Sequence, residues 1–272
     1  MSFTTADVVK LRKITGAGMM DCKNALKDAE GNFDRAVEII REKGKLVASK
    51  RSDREASEGV VLAETINNDT LGALVVLNCE TDFVAKNENF IAFAQKILKV
   101  ALDNNVDSLE NLKAMDLEGR TVEAQVTEQT GVIGEKIELS HYAKLDAEHV
   151  TAYIHPGNKL ATLVGFNKKE VAETVAKDVA MQVAAMAPVA VTKDEIPQEE
   201  INKELEIAKE KFRQEGKPEN MLDKIAQGSL NKWFKEVALL DQAYIKDAKQ
   251  SVKEFLGQAD KELNVTGFER YT

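Results

Sequence analysis

The sequence predicts an α+β fold, in which helices at both ends of the chain flank two strand-rich segments. Two segments, one beginning near Val61 and one near Val150, show two apolar strands joined by a polar turn and followed by an amphipathic helix. Residues 4–44 and 194–228 instead show apolar side chains at helical spacing behind capping residues. Charged residues make up 31% of the chain and it has four prolines, a composition typical of a helix-rich globular protein.

Residues 1–54 are predicted to form a small three-helix module with a linker. Thr4 or Thr5 caps the first helix, the segment 16–18 is a turn, and Asn32 caps a third helix that Gly44 closes. The apolar positions at helical spacing are Val8, Leu11 and Ile14, then Met20, Ala25, Leu26 and Ala29, then Phe33, Val37 and Ile40. Residues 45–58 are polar and charged, and we expect a solvated tether there. The module resembles the three-helix domain of the ubiquitin-associated type.

The middle of the chain contains an internal repeat. At the spacing that aligns Asn78 with Asn167, the apolar positions of one β-hairpin meet those of a second. The helices that follow carry Phe90, Ala94, Ile97 and Ala101 in the first copy, and Val171, Val175, Val179, Val183 and Met186 in the second. We therefore predict a duplicated αβ core of two subdomains with antiparallel sheets, formed by 55–145 and by 146–190 with 229–262. Between the copies we predict helices near 109–115 and 122–132, then a strand near 137–142.

Residues 191–228 are predicted to form an inserted helical hairpin of coiled-coil type. Pro197 suits a helix start, and the heptad positions are Ile201, Leu205, Ala208 and Phe212. The segment 216–218 is a turn, after which a short returning helix breaks at Gly228. The apolar seam serves either the hairpin alone or also a second copy or another partner. Further on, Ser251 and Glu254 form a capping box, and residues 263–272 alternate like a final strand or docking segment.

The corner at Thr81, Asp82, Phe83 and Val84 is the most informative local feature. The apolar strand 74–77 leads into it without a glycine or proline, Thr81 is a good helix cap, and the Asp82 carboxylate suits the first helical turn. Phe83 is then either a core aromatic or an exposed wedge for a partner. In the second repeat copy the residues 168–173 contain no such motif, so the scaffold does not require it. This internal comparison weakens the interpretation as a core aromatic and leaves the two alternatives evenly balanced.

Charge and composition exclude several classes of function. A net charge of −9 and a pI near 5.1 argue against a general nucleic-acid binder, which needs a basic face. No apolar run is long enough for a membrane span, and the N-terminus resembles neither a signal nor a transit peptide, so we expect no membrane contact and a cytoplasmic protein.

The sequence predicts no catalytic, cofactor or metal site in this chain. Cys22 and Cys79 are the two cysteines, too few for a disulfide framework or zinc site, and we expect both to be buried. The histidines, His141, His149 and His155, lack the spacing of metal ligands. Phosphate-loop, dinucleotide and zinc-protease motifs are absent, so neither a cofactor nor an enzymatic activity is expected.

Several long, nearly ungapped segments resemble one family over essentially the whole chain. They are 11–23, 76–86, 182–188, 216–220 and 231–236. Together they are similar to bacterial translation elongation factor Ts, the exchange factor for the GTPase elongation factor Tu.

The resemblance implies a guanine-nucleotide exchange factor. It would bind the GDP-bound GTPase, disturb its Mg²⁺ and phosphate site, and promote GDP release so that GTP can bind. Thr81, Asp82, Phe83 and Val84 would dislocate the Mg²⁺, with Phe83 as a wedge between helices of the GTPase. Other positions match family contacts with the partner: Arg12, Met19, Met20 and His155.

The expected partner is elongation factor Tu, with no direct nucleotide or nucleic-acid binding by this chain. A homodimer through the helical hairpin or within the complex stays open. The alternative is a non-exchange interaction module, in which the three-helix unit binds a ubiquitin-like or nascent-chain partner. Such a module has no use for a Thr-Asp-Phe corner, so this motif discriminates between the two functions.

Overall fold

The computed structural model describes residues 3–272 and divides into two compact units. The first unit comprises the chain up to Leu62, with Leu74–Ala143 and Pro156–Lys159. The second comprises Ala63–Ala73, Lys144–His155 and Leu160–Thr272. Helices alternate with small antiparallel sheets, which confirms the α+β class.

Three helices open the first unit: α1 (Thr5–Thr15), α2 (Met19–Asp28) and α3 (Phe33–Lys50). Thr4 caps α1 in a capping box with Asp7, and Gly16 ends the helix at a φ of 71°, a left-handed conformation that glycine adopts without strain. The three helices share a core of Val8, Leu11, Ala17, Cys22, Ala25, Leu26, Ala29 and Ala36. Ile14 was predicted on this face but is 60% exposed.

A three-stranded sheet and further helices follow along the chain. The strands β1 (Glu58–Ile66) and β2 (Leu71–Cys79) form the first hairpin, and Asn67, Asn68 and Asp69 in its predicted turn all have positive φ. The following elements are α4 (Asp82–Ala85), α5 (Glu88–Asp103), α6 (Leu109–Ala114), β3 (Asp116–Leu117), β4 (Arg120–Thr121), α7 (Val122–Ile133) and β5 (Glu138–Asp146). The sheet order is β1-β2-β5, and α5 buries all four of its predicted apolar positions. The short β3–β4 hairpin was not predicted.

Helix α3 does not end at Gly44, so the predicted helix end is wrong. The helix continues to Lys50, and the predicted linker is therefore helical over 45–50. The reason is packing against α7, because a Cβ added at Gly131 would lie 2.2 Å from the Cα of Gly44. The glycine marks a close approach of two helices and does not act as a helix terminator.

The second unit contains the second hairpin and the C-terminal elements. Its sequence order is β6 (His149–Ile154), β7 (Ala161–Phe166), α8 (Glu173–Met186), α9 (Gln198–Gln214), α10 (Glu219–Val237), β8 (Ala243–Tyr244), β9 (Asp247–Ser251), α11 (Val252–Ala259) and β10 (Val265–Tyr271). The strands β6 and β7 pair antiparallel as predicted. The last segment is a strand, because β10 pairs antiparallel with β7 and completes a sheet of order β10-β7-β6. The predicted Ser251–Glu254 capping box begins α11.

The returning helix of the hairpin is longer than predicted. Helix α10 passes through Gly228 and reaches Val237, so the predicted break is wrong. An internal glycine costs a helix about 1 kcal/mol relative to alanine. Burial of Leu222, Ala226 and Leu230 on the same helix outweighs that cost. Over residues 3–272, no helix combines the length and apolarity needed to cross a membrane.

Candidate functional site at the strand-to-helix corner

Phe83 projects into solvent shortly after the end of strand β2. Helix α4 is a single turn that begins at Asp82, and the extended residue Thr81 caps it by accepting a hydrogen bond from Val84 N at 3.4 Å. The Phe83 side chain is 83% exposed, so its interpretation as a core aromatic is wrong. A large apolar side chain is thus presented to solvent on a defined turn.

Beside it, Asp82 carries a negative charge at the surface. Its Oδ2 accepts a hydrogen bond from Lys86 Nζ at 2.6 Å, one helical turn further on. This hydrogen bond, followed by attraction to the charges of Lys86 and Lys159, lowers the pKa of the Asp82 carboxyl. Asp82 is therefore ionised at neutral pH.

The backbone of the corner is held by the carboxylate of Glu135. Its Oε2 accepts from the backbone N of Glu80 at 3.2 Å and of Thr81 at 3.0 Å. Its Oε1 accepts from Thr81 Oγ1 at 2.8 Å. Glu135 lies between α7 and β5, so a segment distant in sequence holds the corner.

Glu80 makes the reciprocal contacts. Its Oε1 accepts from the backbone N of Lys136 at 2.6 Å and from Arg51 Nη1 at 2.8 Å, and its Oε2 accepts from Arg54 Nη1 at 3.0 Å. The hydrogen bond from Lys136 N–H, followed by those from the two arginines, lowers the pKa of Glu80 to about 2. Arg51 and Arg54 are thus both paired with Glu80: the Arg51 side chain is partly buried, whereas that of Arg54 is 58% exposed and stays solvated as predicted.

A cavity of about 760 Å³ lies within the first unit. The α1–α2 turn, α3, α5 and α7 line it, together with Val84 of the corner. Several charged side chains on its wall are paired with each other: Lys43 with Asp21, Lys96 with Glu118, and Arg120 and Arg41 with Glu128. In the described part of the chain, no group of three or more His, Cys, Asp or Glu residues is placed to hold a metal ion.

The other predicted contact residues are divided between the two units. Arg12 near the end of α1 is exposed, as are Met19 and Met20 at the start of α2, with exposures of 39% and 64% for the two methionines. These residues and the corner belong to the first unit. His155 belongs to the second unit, is exposed, and has its Nδ1 at 2.9 Å from Tyr153 OH.

Both cysteines are buried, which confirms the prediction. The thiol of Cys79 contacts the corner, since its Sγ donates to Thr81 O at 3.2 Å. Desolvation raises the pKa of Cys79 to about 11, so this thiol is protonated at neutral pH.

Sequence reasoning missed Glu135 and the roles of Glu80, Arg51 and Arg54. Glu80 lies inside the segment 76–86, which carries part of the family resemblance. The residues next to it in the sequence do not indicate its hydrogen-bond partners. Glu135 is one of 46 acidic residues, and no local pattern separates it from the rest. Its one signal in the sequence is its position just before the predicted strand near 137–142. In the structure this strand, β5, is the neighbour of β2, which leads into the corner.

Comparison with known proteins decides the family. The family described as Elongation factor TS matches residues 80–272, including the corner. This chain belongs to the elongation factor Ts family. Elongation factor Ts of Christiangramia forsetii is 54% identical, over 98% of this chain and 97% of that protein. The factor of Porphyromonas gingivalis is 50% identical over 100% and 98%, and that of Flavobacterium psychrophilum 48% over 99% and 98%. The family resemblance is confirmed, and with it a role in translation elongation.

Proposed function

We propose that this elongation factor is a guanine-nucleotide exchange factor for elongation factor Tu. It binds the GDP-bound GTPase, disturbs the Mg²⁺ and phosphate site, and promotes GDP release so that GTP can bind. The observation that carries the proposal is Phe83, an aromatic side chain 83% exposed on a one-turn helix in a family of elongation factors. Phe83 has the highest exposure of the large apolar residues in the described part of the chain, and burial against a partner would remove this apolar surface from water.

An exchange factor must bind the nucleotide-free GTPase more tightly than the nucleotide-bound form, and it needs no catalytic group of its own. A GTPase holds its nucleotide through a phosphate loop and a Mg²⁺ ion that bridges phosphate oxygens. A factor that binds the nucleotide-free form more tightly weakens nucleotide binding by the same ratio. Burying one Phe side chain supplies about 1.5–3 kcal/mol, which is one to two decades of that ratio.

The predicted contact residues fall into three groups in this proposal. Phe83 wedges into the GTPase, while the ionised Asp82 perturbs the region around Mg²⁺; Thr81 and Val84 complete the corner. Arg12, Met19 and Met20 grip the GTPase elsewhere, where flexible methionine side chains suit an uneven surface. His155 contacts another domain of the partner.

The protein itself binds no nucleotide and catalyses no reaction in this proposal, and it works in the cytoplasm. Self-association through the α9–α10 hairpin or within the complex stays open.

Release of fluorescent GDP from elongation factor Tu tests the proposal. The wild-type factor is expected to accelerate release, and Phe83→Ala to lower the stimulated rate by about ten- to a hundredfold with little change in melting temperature. The matched control is Ile245→Ala, which trims another exposed apolar side chain, in the second unit. It should leave release unchanged.

Two outcomes count against exchange through Phe83. If the wild-type factor leaves release at its spontaneous rate, the function is wrong, and a binding module that does not exchange nucleotide takes its place. If Phe83→Ala unfolds the protein while each folded molecule keeps full activity, Phe83 is structural.

A further inference from the structure

Helix α4 cannot hold the corner on its own. A single helical turn is unstable in isolation, because it fixes several backbone angles for one or two hydrogen bonds. The cap from Thr81 Oγ1 to Val84 N is long at 3.4 Å, and the exposed Phe83 adds little packing. The position of Phe83 must therefore be set by contacts outside the helix.

Glu135 makes those contacts. Its carboxylate accepts hydrogen bonds from the backbone of Glu80 and Thr81 and from the Thr81 hydroxyl, at 3.2, 3.0 and 2.8 Å. These hydrogen bonds fix the residue that caps α4 on both its backbone and its side chain.

The arrangement is reciprocal. While Glu135 binds the backbone at Glu80 and Thr81, Glu80 accepts from the backbone N of Lys136 at 2.6 Å. The strands β2 and β5 are neighbours in the sheet. The side chains of Glu80 and Glu135 link the segment that follows β2 to the segment that precedes β5. A displacement of the corner would break hydrogen bonds on both segments.

We propose that Glu135 is a positioning residue for nucleotide exchange. It fixes Thr81 and the start of α4 so that Phe83 is presented to the partner, and it touches neither the GTPase nor the nucleotide. This inference rests on the proposed exchange function and adds a residue outside the Thr81–Val84 motif.

The kinetic consequence follows from the population of the competent corner. A loosened corner still allows binding through the rest of the surface, but only a fraction of bound molecules then has Phe83 in place. The maximal rate of stimulated release should fall. The half-saturating concentration of the factor, at which release reaches half of its maximal rate, should change less. A factor that is merely less stable behaves differently, because unfolded molecules do not bind. Its half-saturating concentration rises, but its maximal rate is kept.

Three variants separate these cases when GDP release is measured against factor concentration. Glu135→Ala removes all three acceptor contacts and should lower the maximal rate about tenfold. Glu135→Gln should stay near wild type, because its oxygen can accept from both backbone N–H groups and its amide can donate to Thr81 Oγ1. The control is Glu138→Ala on the same segment, which loses only the 3.2 Å ion pair with Lys136 and should have no effect.

A double-mutant cycle tests whether Glu135 acts through Phe83. In a Phe83→Ala background, adding Glu135→Ala should lower the maximal rate by a clearly smaller factor than it does in the wild type, because Phe83 is gone and Asp82 is the one exchange residue of the corner left to position. Fully additive losses would overturn the proposal, as would a Glu135→Ala variant that keeps the wild-type maximal rate. In both cases the wild-type factor still stimulates release and the exchange function stands. A wild-type factor that stimulates nothing would remove both.

Discussion

At the corner, the Asp82 carboxylate forms an ion pair with Lys86, the residue that follows helix α4, and the Mg²⁺ bound to the GTPase is its proposed target. In the presence of Mg²⁺, Asp82→Asn is expected to slow stimulated GDP release while the corner keeps its shape, because asparagine also tolerates a helix start. Once Mg²⁺ is chelated, variant and wild type should stimulate release equally. The measurement is fluorescent GDP release with and without a chelator.

A helix-dipole role for Asp82 predicts a different pattern. The deficit would then be the same with and without Mg²⁺, because a helix dipole acts on the corner whether or not the ion is present. Lys86→Gln is the matched control, because it removes the 2.6 Å ion pair but keeps the Asp82 carboxylate. If both variants lose the same activity, the ion pair and not the carboxylate is what matters.

Glu80 gives the corner a dependence on pH. Its pKa is lowered from 4.5 to about 2, chiefly by the hydrogen bond from Lys136 N–H and then by those from Arg51 and Arg54. For a carboxyl whose pKa is lower in the folded state, the stabilisation is present above its ordinary pKa and is lost as pH falls towards the folded value. In urea denaturation, Glu80→Gln should be less stable than wild type at neutral pH. The difference in the free energy of unfolding between the two proteins, which we call the gap, should narrow as the pH falls from 4.5 to about 2. A gap that is constant through this range would show that the Glu80 charge is not involved.

Single residues at the corner were predictable to different degrees. The Thr81 cap follows from its neighbours in sequence, and the comparison between repeats indicated that Phe83 was not required by the scaffold. Glu135 could not be found this way, because its contacts depend on which strands are neighbours in the sheet. Local sequence determines caps, whereas contacts between distant segments require the assembled fold.

Among the secondary-structure elements, the crossing of α3 and α7 offers a sharp test of packing. A Cβ at Gly131 would lie 2.2 Å from the Cα of Gly44, whereas a Cβ at Gly44 would have its nearest neighbour at 3.6 Å, an ordinary contact. Gly131→Ala should therefore destabilise the protein by about 1–3 kcal/mol through overpacking. Gly44→Ala should be neutral or stabilising by up to about 1 kcal/mol, because alanine favours the helix.

Urea denaturation of the two variants measures this difference. Gly228→Ala on α10 is an additional control, since nothing lies within 4 Å of its added Cβ. It should stabilise the protein. Equal effects of Gly131→Ala and Gly44→Ala would mean that the two helices are not in this close contact.

Element ends were predicted less well than element types. Gly44 and Gly228 were both interpreted as helix ends, and both lie inside helices. A glycine lowers helix propensity wherever it stands, so sequence cannot distinguish a terminator from a position that accommodates a close neighbour or a gap. The repeat, the caps at Thr4 and Ser251 and the hairpin turns were predictable because each depends on residues near in sequence.

For the whole molecule, the segment 1–54 was predicted to be a separate module, and its packing leads to a different expectation. Helix α3 packs on α7, and Arg51 and Arg54 bind Glu80 in the same unit. Deleting 1–54 should therefore speed amide hydrogen exchange around 80–137. Protection in the second unit should persist, since its core cluster is formed by residues from 164 onwards.

Hydrogen exchange measured by mass spectrometry on the full chain and the truncated chain makes this comparison. Unchanged protection throughout 80–137 would support an independent module, as the sequence predicted. The division into segments stays a prediction until then.

The two units could not be obtained by cutting the sequence at linkers. The tip of the first hairpin, Ala63–Ala73, belongs to the second unit, where Thr70 O accepts from Ala147 N at 3.1 Å and Gly72 lies close to Leu163. Contacts of this kind are between residues far apart in sequence. The α+β class was still predictable, because the repeat and the helical patterns do not depend on how the hairpin tip packs.

The enclosed thiols of Cys22 and Cys79 have a practical consequence. Both side chains are fully buried and burial raises the pKa of each, so neither offers a thiolate to reagents at neutral pH. A cysteine introduced on the surface, for example Ile245→Cys, should then be the one site that a maleimide dye modifies in the folded protein. Fluorescent labelling for single-molecule work can proceed without first removing the native cysteines, and the dye's attachment point is set by the choice of that one substitution.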